Sequence, residues 1–182
     1  MPRLRRPPAI LDIEASGFGP RSYPIEVGVV LPDGEKYCSL IRPLPEWTHW
    51  DEDAQRVHHV PREALSTYGR PPIEVAARLN ALLRGQTAYS DGWVVDQTWL
   101  NCLFHAAAIP CEFGFSALEL ILTEPQMAIW HQTKDALACE LGDARHRASV
   151  DALLVQQTWQ RTFEATQPVA GALSVHDGRS GG

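Results

Sequence analysis

Residues 9–17, Ala-Ile-Leu-Asp-Ile-Glu-Ala-Ser-Gly, form a short apolar run that closes on two acids and a small-residue turn. Side chains alternate faces along a strand, so Ile10, Asp12 and Glu14 share one side and Leu11, Ile13 and Ala15 the other. Ile10 beside the acids argues against a plainly solvated face. Residues 25–30 (Ile-Glu-Val-Gly-Val-Val) read as a second strand, Pro32-Asp33-Gly34 as a turn, and Glu35 to Ile41 as a third strand stopped by Arg42-Pro43-Leu44-Pro45. Strands this closely linked, with no helix between them, predict an antiparallel start.

Helical spacing takes over after residue 50. Asp51-Glu52-Asp53 offers acids for a helix start, and Pro61 can open a second short helix. Pro71-Pro72 precedes an amphipathic stretch through Leu83 that Gly85 ends. Thr87 to Ser90 suits a central strand, Asp96 to Ala107 a helix, and Glu124 to Glu140 another, with Gly142 as its stop. The last helix is expected over about Ala148 to Phe163, while Phe113 to Ile121 is ambiguous between strand and helix. The expected fold is therefore α/β, with a mixed central sheet whose three N-terminal strands are antiparallel and which helices flank. A single domain over 1–163 precedes a Gly- and Ser-rich tail, 164–182, expected to be disordered.

Composition narrows the classes. The 182 residues are 45% hydrophobic and 21% charged, enough for one ordinary core. No run approaches the ~20 apolar residues of a membrane span, and the Arg-containing start leads into Pro7-Pro8 and a strand rather than a signal-peptide core. A cytosolic (cytoplasmic) protein without membrane contact is expected. Cys38, Cys102, Cys111 and Cys139 are scattered, which suggests neither zinc nor a disulfide frame. The net charge of −6 disfavours a broad grip on duplex nucleic acid but leaves room for a small site on one strand end.

Two further acids fall where apolar residues belong. Asp96 heads the stripe Trp99, Leu100, Leu103, Phe104, Ala107, and Asp151 sits within the stripe Ala148, Ala152, Val155, Trp159. A helix cap is a sufficient reading of Asp96 alone, but less so of Asp151, which lies well inside its helix. Asp12 and Glu14, ~7 Å apart along a strand, repel unless something positive joins them. A surface hairpin is the plain reading of that strand, and a divalent-cation site is the stronger one once other ligands are at hand. His146 stands five residues before Asp151, ~140° around a helix, so it must act from the helix entry if both serve one site. A His beside carboxylates is suited to deprotonating water.

These residues resemble a known family. Asp12-Ile-Glu14-Ala-Ser-Gly17, Asp96-Gln-Thr-Trp-Leu100 and His146-Arg-Ala-Ser-Val-Asp151 occur in the order and pattern of the three motifs of the DEDDh 3′→5′ exonucleases. That group includes the proofreading subunit of bacterial DNA polymerase III, ribonuclease T and oligoribonuclease. The resemblance runs from about Ala9 to Phe163, and Arg147, where the sister group has Tyr, indicates the His variant. Residues 54–60 resemble the family segment whose His touches substrate, here His58, with an acid five positions earlier, here Asp53. Two departures stand out. The family's His-Asn and aromatic ahead of the second-motif acid are absent, which makes Asp91 a rival to Asp96, and His59 replaces a usual Gly.

The resemblance implies a ribonuclease-H-like fold and hydrolysis at the 3′ end of single-stranded DNA or RNA, releasing nucleoside 5′-monophosphates. It implies two Mg²⁺ or Mn²⁺ ions ~3.5–4 Å apart, held by Asp12, Glu14, Asp96 and Asp151, with Asp96 acting mainly through water. His146 is implied as the general base, and Glu14, Ala15, Phe18, Asp53 and His58 as substrate contacts. Phe18 can stack on a terminal base, or serve as a core aromatic. Relatives that process RNA commonly dimerise, so a homodimer is compatible with the resemblance. The alternative is a nuclease-fold module that binds nucleic acid or a partner without cutting it.

Overall fold

The computed structural model of the chain describes residues 6–141 and 147–167. Strands β1 (Ala9–Ala15), β2 (Pro24–Val30) and β3 (Lys36–Leu40) come first. Helices α1 (Glu52–His58), α2 (Arg62–Tyr68) and α3 (Pro72–Leu83) follow, then β4 (Thr87–Ser90), α4 (Trp93–Ala107) and β5 (Gly114–Ala117). A 3₁₀ turn over Leu118–Ile121 leads to α5 (Glu124–Leu141) and α6 (Ala148–Ala165).

The sheet order is β3-β2-β1-β4-β5. β1–β2 and β2–β3 are antiparallel, and β1–β4 and β4–β5 parallel. This is the mixed sheet expected, with the acid-bearing strand at its centre, and it is the ribonuclease-H-like arrangement. Gly34 lets the β2–β3 hairpin close, with φ 88° and its N–H donating to the Leu31 carbonyl at 2.9 Å.

The alternation of β1 decides which helices meet which face. Leu11 and Ile13 join Val27 and Val29 in a core against Val75, Leu79 and Leu83 of α3 and Leu100, Leu103 and Phe104 of α4. Ile10 and Val30 pack on the other side against Trp130 of α5 and Ala152, Val155 and Trp159 of α6. Asp12 and Glu14, in phase with Ile10, thus belong to the α6 face.

Several boundaries differ from expectation. α4 begins at Trp93 with Gly92 in the cap position, so Asp96 lies inside the first turn and is not the cap. Phe113 to Ile121 is both things in sequence, a four-residue strand and then one 3₁₀ turn. α6 continues through Glu164 and Ala165, two residues into the expected tail. Gly142 and His146 lie outside the described residues, as does 168–182. Among the described residues no helix is long and apolar enough to cross a membrane.

Candidate metal centre

Asp12 and Glu14 reach the site from β1, where pairing with β2 sets Asp12 opposite Gly28 and Glu14 opposite Glu26. Asp151 arrives from the first turn of α6, nearer the helix start than expected, its own N–H donating to the Arg147 carbonyl at 3.0 Å. One carboxylate oxygen from each of Asp12, Glu14 and Asp151 lies within 4.8 Å of the others. All three are partly buried. A strand and a helix more than 130 residues apart in sequence thus converge on a single group of oxygen donors.

Asp96 stands beside this group rather than within it. It is 3% exposed and accepts a close hydrogen bond from the Ser90 hydroxyl, whose oxygen in turn accepts from the Gly92 N–H at 2.8 Å. The strand end and the helix start therefore fix its orientation together. Asp91 points elsewhere, into an ion pair with Lys134 of α5. Of the two rival acids, Asp96 is the one sequestered near Asp12.

Burial, and then crowding by other acids, makes Asp12, Glu14 and Asp96 hard to ionise. Burial, then the charges of Asp96, Glu14, Asp151 and Asp91, hold Asp12 well above the usual carboxylate range. Glu14 is pushed up to about 7 by burial first and then by Asp151, Glu26 and Asp96, with Arg147 acting against the shift. Burial also lifts Asp96 to about 7, with the Ser90 hydrogen bond opposing it. Buried acids that repel one another are the donor set that a divalent cation stabilises.

Of the residues that the resemblance assigns to substrate, Ala15 and Phe18 stand at and just beyond the end of β1. Ala15 is buried at the irregularity that ends the β1–β2 pairing. Phe18, 75% exposed, projects from the turn that follows. That turn is held from behind: the Asp51 N–H donates to the Ser16 carbonyl at 2.9 Å, and a Cβ on Gly17 would stand 2.8 Å from Cβ of Asp51. Trp99 Nε1 of α4 donates to Ser22 Oγ at 3.0 Å, which ties the turn to the helix that carries Asp96.

His58 is buried at the end of α1, edge-on to Trp50 at 5.8 Å. Its Nδ1 accepts from the Val60 N–H at 3.0 Å, so the ring proton belongs on Nε2, which has no hydrogen-bond partner among the described residues. Burial lowers its pKa to about 4, so the ring is neutral. Asp53 is exposed in the first turn of α1 and pairs with Arg56. His146 falls outside the described residues, one position before Arg147.

Sequence reasoning overlooked Glu26. It is fully buried on β2 and carries a dense set of donors from the entry to α6. The available signal was a lone charge in an otherwise apolar run, the same signal that exposed Asp96 and Asp151.

An α/β protein with helices on both faces of a mixed sheet, and acids gathered where its central strand meets the last helix, matches solved exonucleases in fold. The Escherichia coli Exonuclease I complex with a dA16 oligonucleotide superposes with a TM-score of 0.58 at 13% identity, over 86% of this chain and 42% of that one. The zinc-ion-bound form of the E. coli Exonuclease I–ssDNA complex gives 0.60 at 13% identity, again over 86% and 42%. Exonuclease I from Methylocaldum szegediense gives 0.53 at 15% identity, over 88% and 41%. The chain thus spans about two fifths of the length of these proteins, and the likeness is one of fold. No protein-family model and no curated protein matches the sequence.

Proposed function

We propose that this chain is a metal-dependent 3′→5′ exonuclease of the DEDDh group, acting on single-stranded nucleic acid and releasing nucleoside 5′-monophosphates. The observation that carries the reading is the convergence of Asp12, Glu14 and Asp151 within 4.8 Å, with buried Asp96 alongside. Four carboxylates offer the hard oxygen donors that Mg²⁺ and Mn²⁺ take, and the upward push on the pKa values of Asp12, Glu14 and Asp96 is what bound cations relieve. The Exonuclease I structures solved with oligonucleotides lend the fold-level support.

Asp12, Glu14 and Asp151 would hold the ions directly, and Asp96, oriented by Ser90, would hold ligated water. Two such ions, when bound, activate the attacking oxygen and stabilise the leaving one in an in-line displacement. His146, one position before Arg147 in the sequence, is assigned by the family pattern as the base that takes the proton from the attacking water. The ring of Phe18 is exposed and would stack on the terminal base. Glu14 and Ala15 are assigned as substrate contacts from β1, and His58 Nε2–H has no hydrogen-bond partner among the described residues. Asp53 is assigned to the substrate side through the family pattern alone. The complete set of acids favours an enzyme over a silent binding module.

Product analysis tests the reading. Matched DNA and RNA oligomers incubated with Mg²⁺ should yield nucleoside 5′-monophosphates from at least one of the two, and EDTA should stop the reaction. Nucleoside 3′-monophosphates, or cleavage indifferent to EDTA, would overturn it.

A further inference from the structure

We propose that Glu26 and Arg147 form a positioning clamp that seats the start of α6 on β2 and thereby sets Asp151 against Asp12 and Glu14. The inference rests on the metal-site reading above and gives two further residues a role in it. Neither is proposed as a ligand.

The two β1 acids stand opposite Gly28 and Glu26 of β2, Asp12 across from the first and Glu14 across from the second. Those same two β2 residues hold the helix. Arg147 Nε donates to both oxygens of Glu26 at 3.0 Å and 3.0 Å, and Nη2 donates to Oε1 at 2.5 Å. The Ala148 N–H, one of the amides a helix start leaves without an intrahelical partner, donates to Glu26 Oε2 at 3.0 Å. Cys38 Sγ adds a contact to Oε1 at 3.3 Å. The negative charge also lies where the helix dipole favours it. At Gly28 the backbone of Ala148 and Ser149 approaches so closely that a Cβ would overlap it.

Height and rotation of α6 are thus fixed at its first residues, and Asp151 follows one turn, about 5.4 Å, later. Glu26, 0% exposed and saturated with donors, is unavailable as a ligand although it neighbours Glu14. Its charge is paired with Arg147, whose own charge opposes the repulsion that Glu26 adds at Glu14.

The test compares Mn²⁺ binding by calorimetry, and the Mn²⁺ dependence of oligonucleotide cleavage, in the full chain and in Glu26→Gln and Arg147→Lys variants. Glu26→Gln keeps the shape and loses the charge, and Arg147→Lys keeps the charge and loses the fork. Removing a group that orients a metal ligand typically weakens binding about 10–100-fold. The clamp predicts a loss of that size for Glu26→Gln, a smaller one for Arg147→Lys, and cleavage that recovers at saturating Mn²⁺. Should Glu26→Gln fail to fold, Arg147→Lys decides the same comparison. Folded variants that bind Mn²⁺ within about twofold of wild type overturn the clamp alone. A wild-type protein that binds no Mn²⁺ overturns the metal reading and the clamp with it.

Discussion

Glu14 and Glu26 face each other across the β1–β2 pair, yet their charges are handled in opposite ways. Glu26 gives its charge to Arg147 and an α6 amide, whereas Glu14 shares its surroundings with Asp12 and Asp151. One acid is structural and satisfied, and the other is held in a cluster of like charges. That difference is the physical basis for assigning cations to one side of the pair only.

Stability in the absence of metal should fall as pH rises. Glu14 keeps its proton in the folded state up to about 7 against an ordinary 4.5, and Asp96 up to about 7 against 3.8. Through that window the folded chain binds more protons than the unfolded one, so raising pH costs stability until both have ionised. In EDTA the melting temperature is expected to be higher at pH 5 than at pH 8. Adding Mg²⁺ or Mn²⁺ should raise it more at pH 8, where protons no longer compete. A metal-free protein that melts higher at pH 8 contradicts the crowding of these carboxyls.

Asp12→Asn should separate stability from function. Removing the most crowded charge relieves repulsion with Asp96, Glu14 and Asp151, so the metal-free variant should melt above wild type at pH 8. Cleavage should drop by more than the roughly 10–100-fold that a merely supporting group costs. Melting curves in EDTA beside initial rates in Mg²⁺ check both halves.

The rival acids give a third comparison. Asp96→Asn removes the carboxylate beside Asp12 and should reduce cleavage by more than about 100-fold. Asp91→Asn breaks a partly exposed pair with Lys134, a class of contact worth about 1 kcal/mol or less, and should leave the rate within a few-fold. Equal losses from both substitutions would place Asp91 in the metal site.

Phe18→Ala probes the base contact. The side chain is 75% exposed, so its loss should leave the melting temperature unchanged. Stacking on a base contributes about 1–3 kcal/mol, which predicts a 5- to 150-fold rise in the KM for a single-stranded oligomer. Unaltered KM assigns Phe18 no role in binding.

Much of this was legible in the residue pattern because periodicity reports burial. The alternation of Ile10, Asp12 and Glu14 against Leu11 and Ile13 matches the two cores on either face of β1. The stripe Ala148, Ala152, Val155, Trp159 is buried as read, with Asp151 in the same helix brought to β1. Asp96 was read correctly as misplaced but could be taken for a cap, since the start at Trp93 depends on Gly92 and on tertiary packing that no local spacing encodes. Glu26 escaped because its partner is a helix 121 residues away. Phe113 to Ile121 was ambiguous because a four-residue strand and a single 3₁₀ turn are both shorter than the periods that distinguish them.

We propose a cation site of Asp12, Glu14, Asp96 and Asp151 for hydrolysis at a 3′ end. It is tested most directly with a 5′-labelled single-stranded oligonucleotide in Mg²⁺, cut by wild type beside Asp12→Ala. Wild type should give a ladder that shortens from the 3′ end, and the variant an intact strand. Identical cleavage by both proteins, or no cleavage of DNA or RNA by wild type, would contradict it.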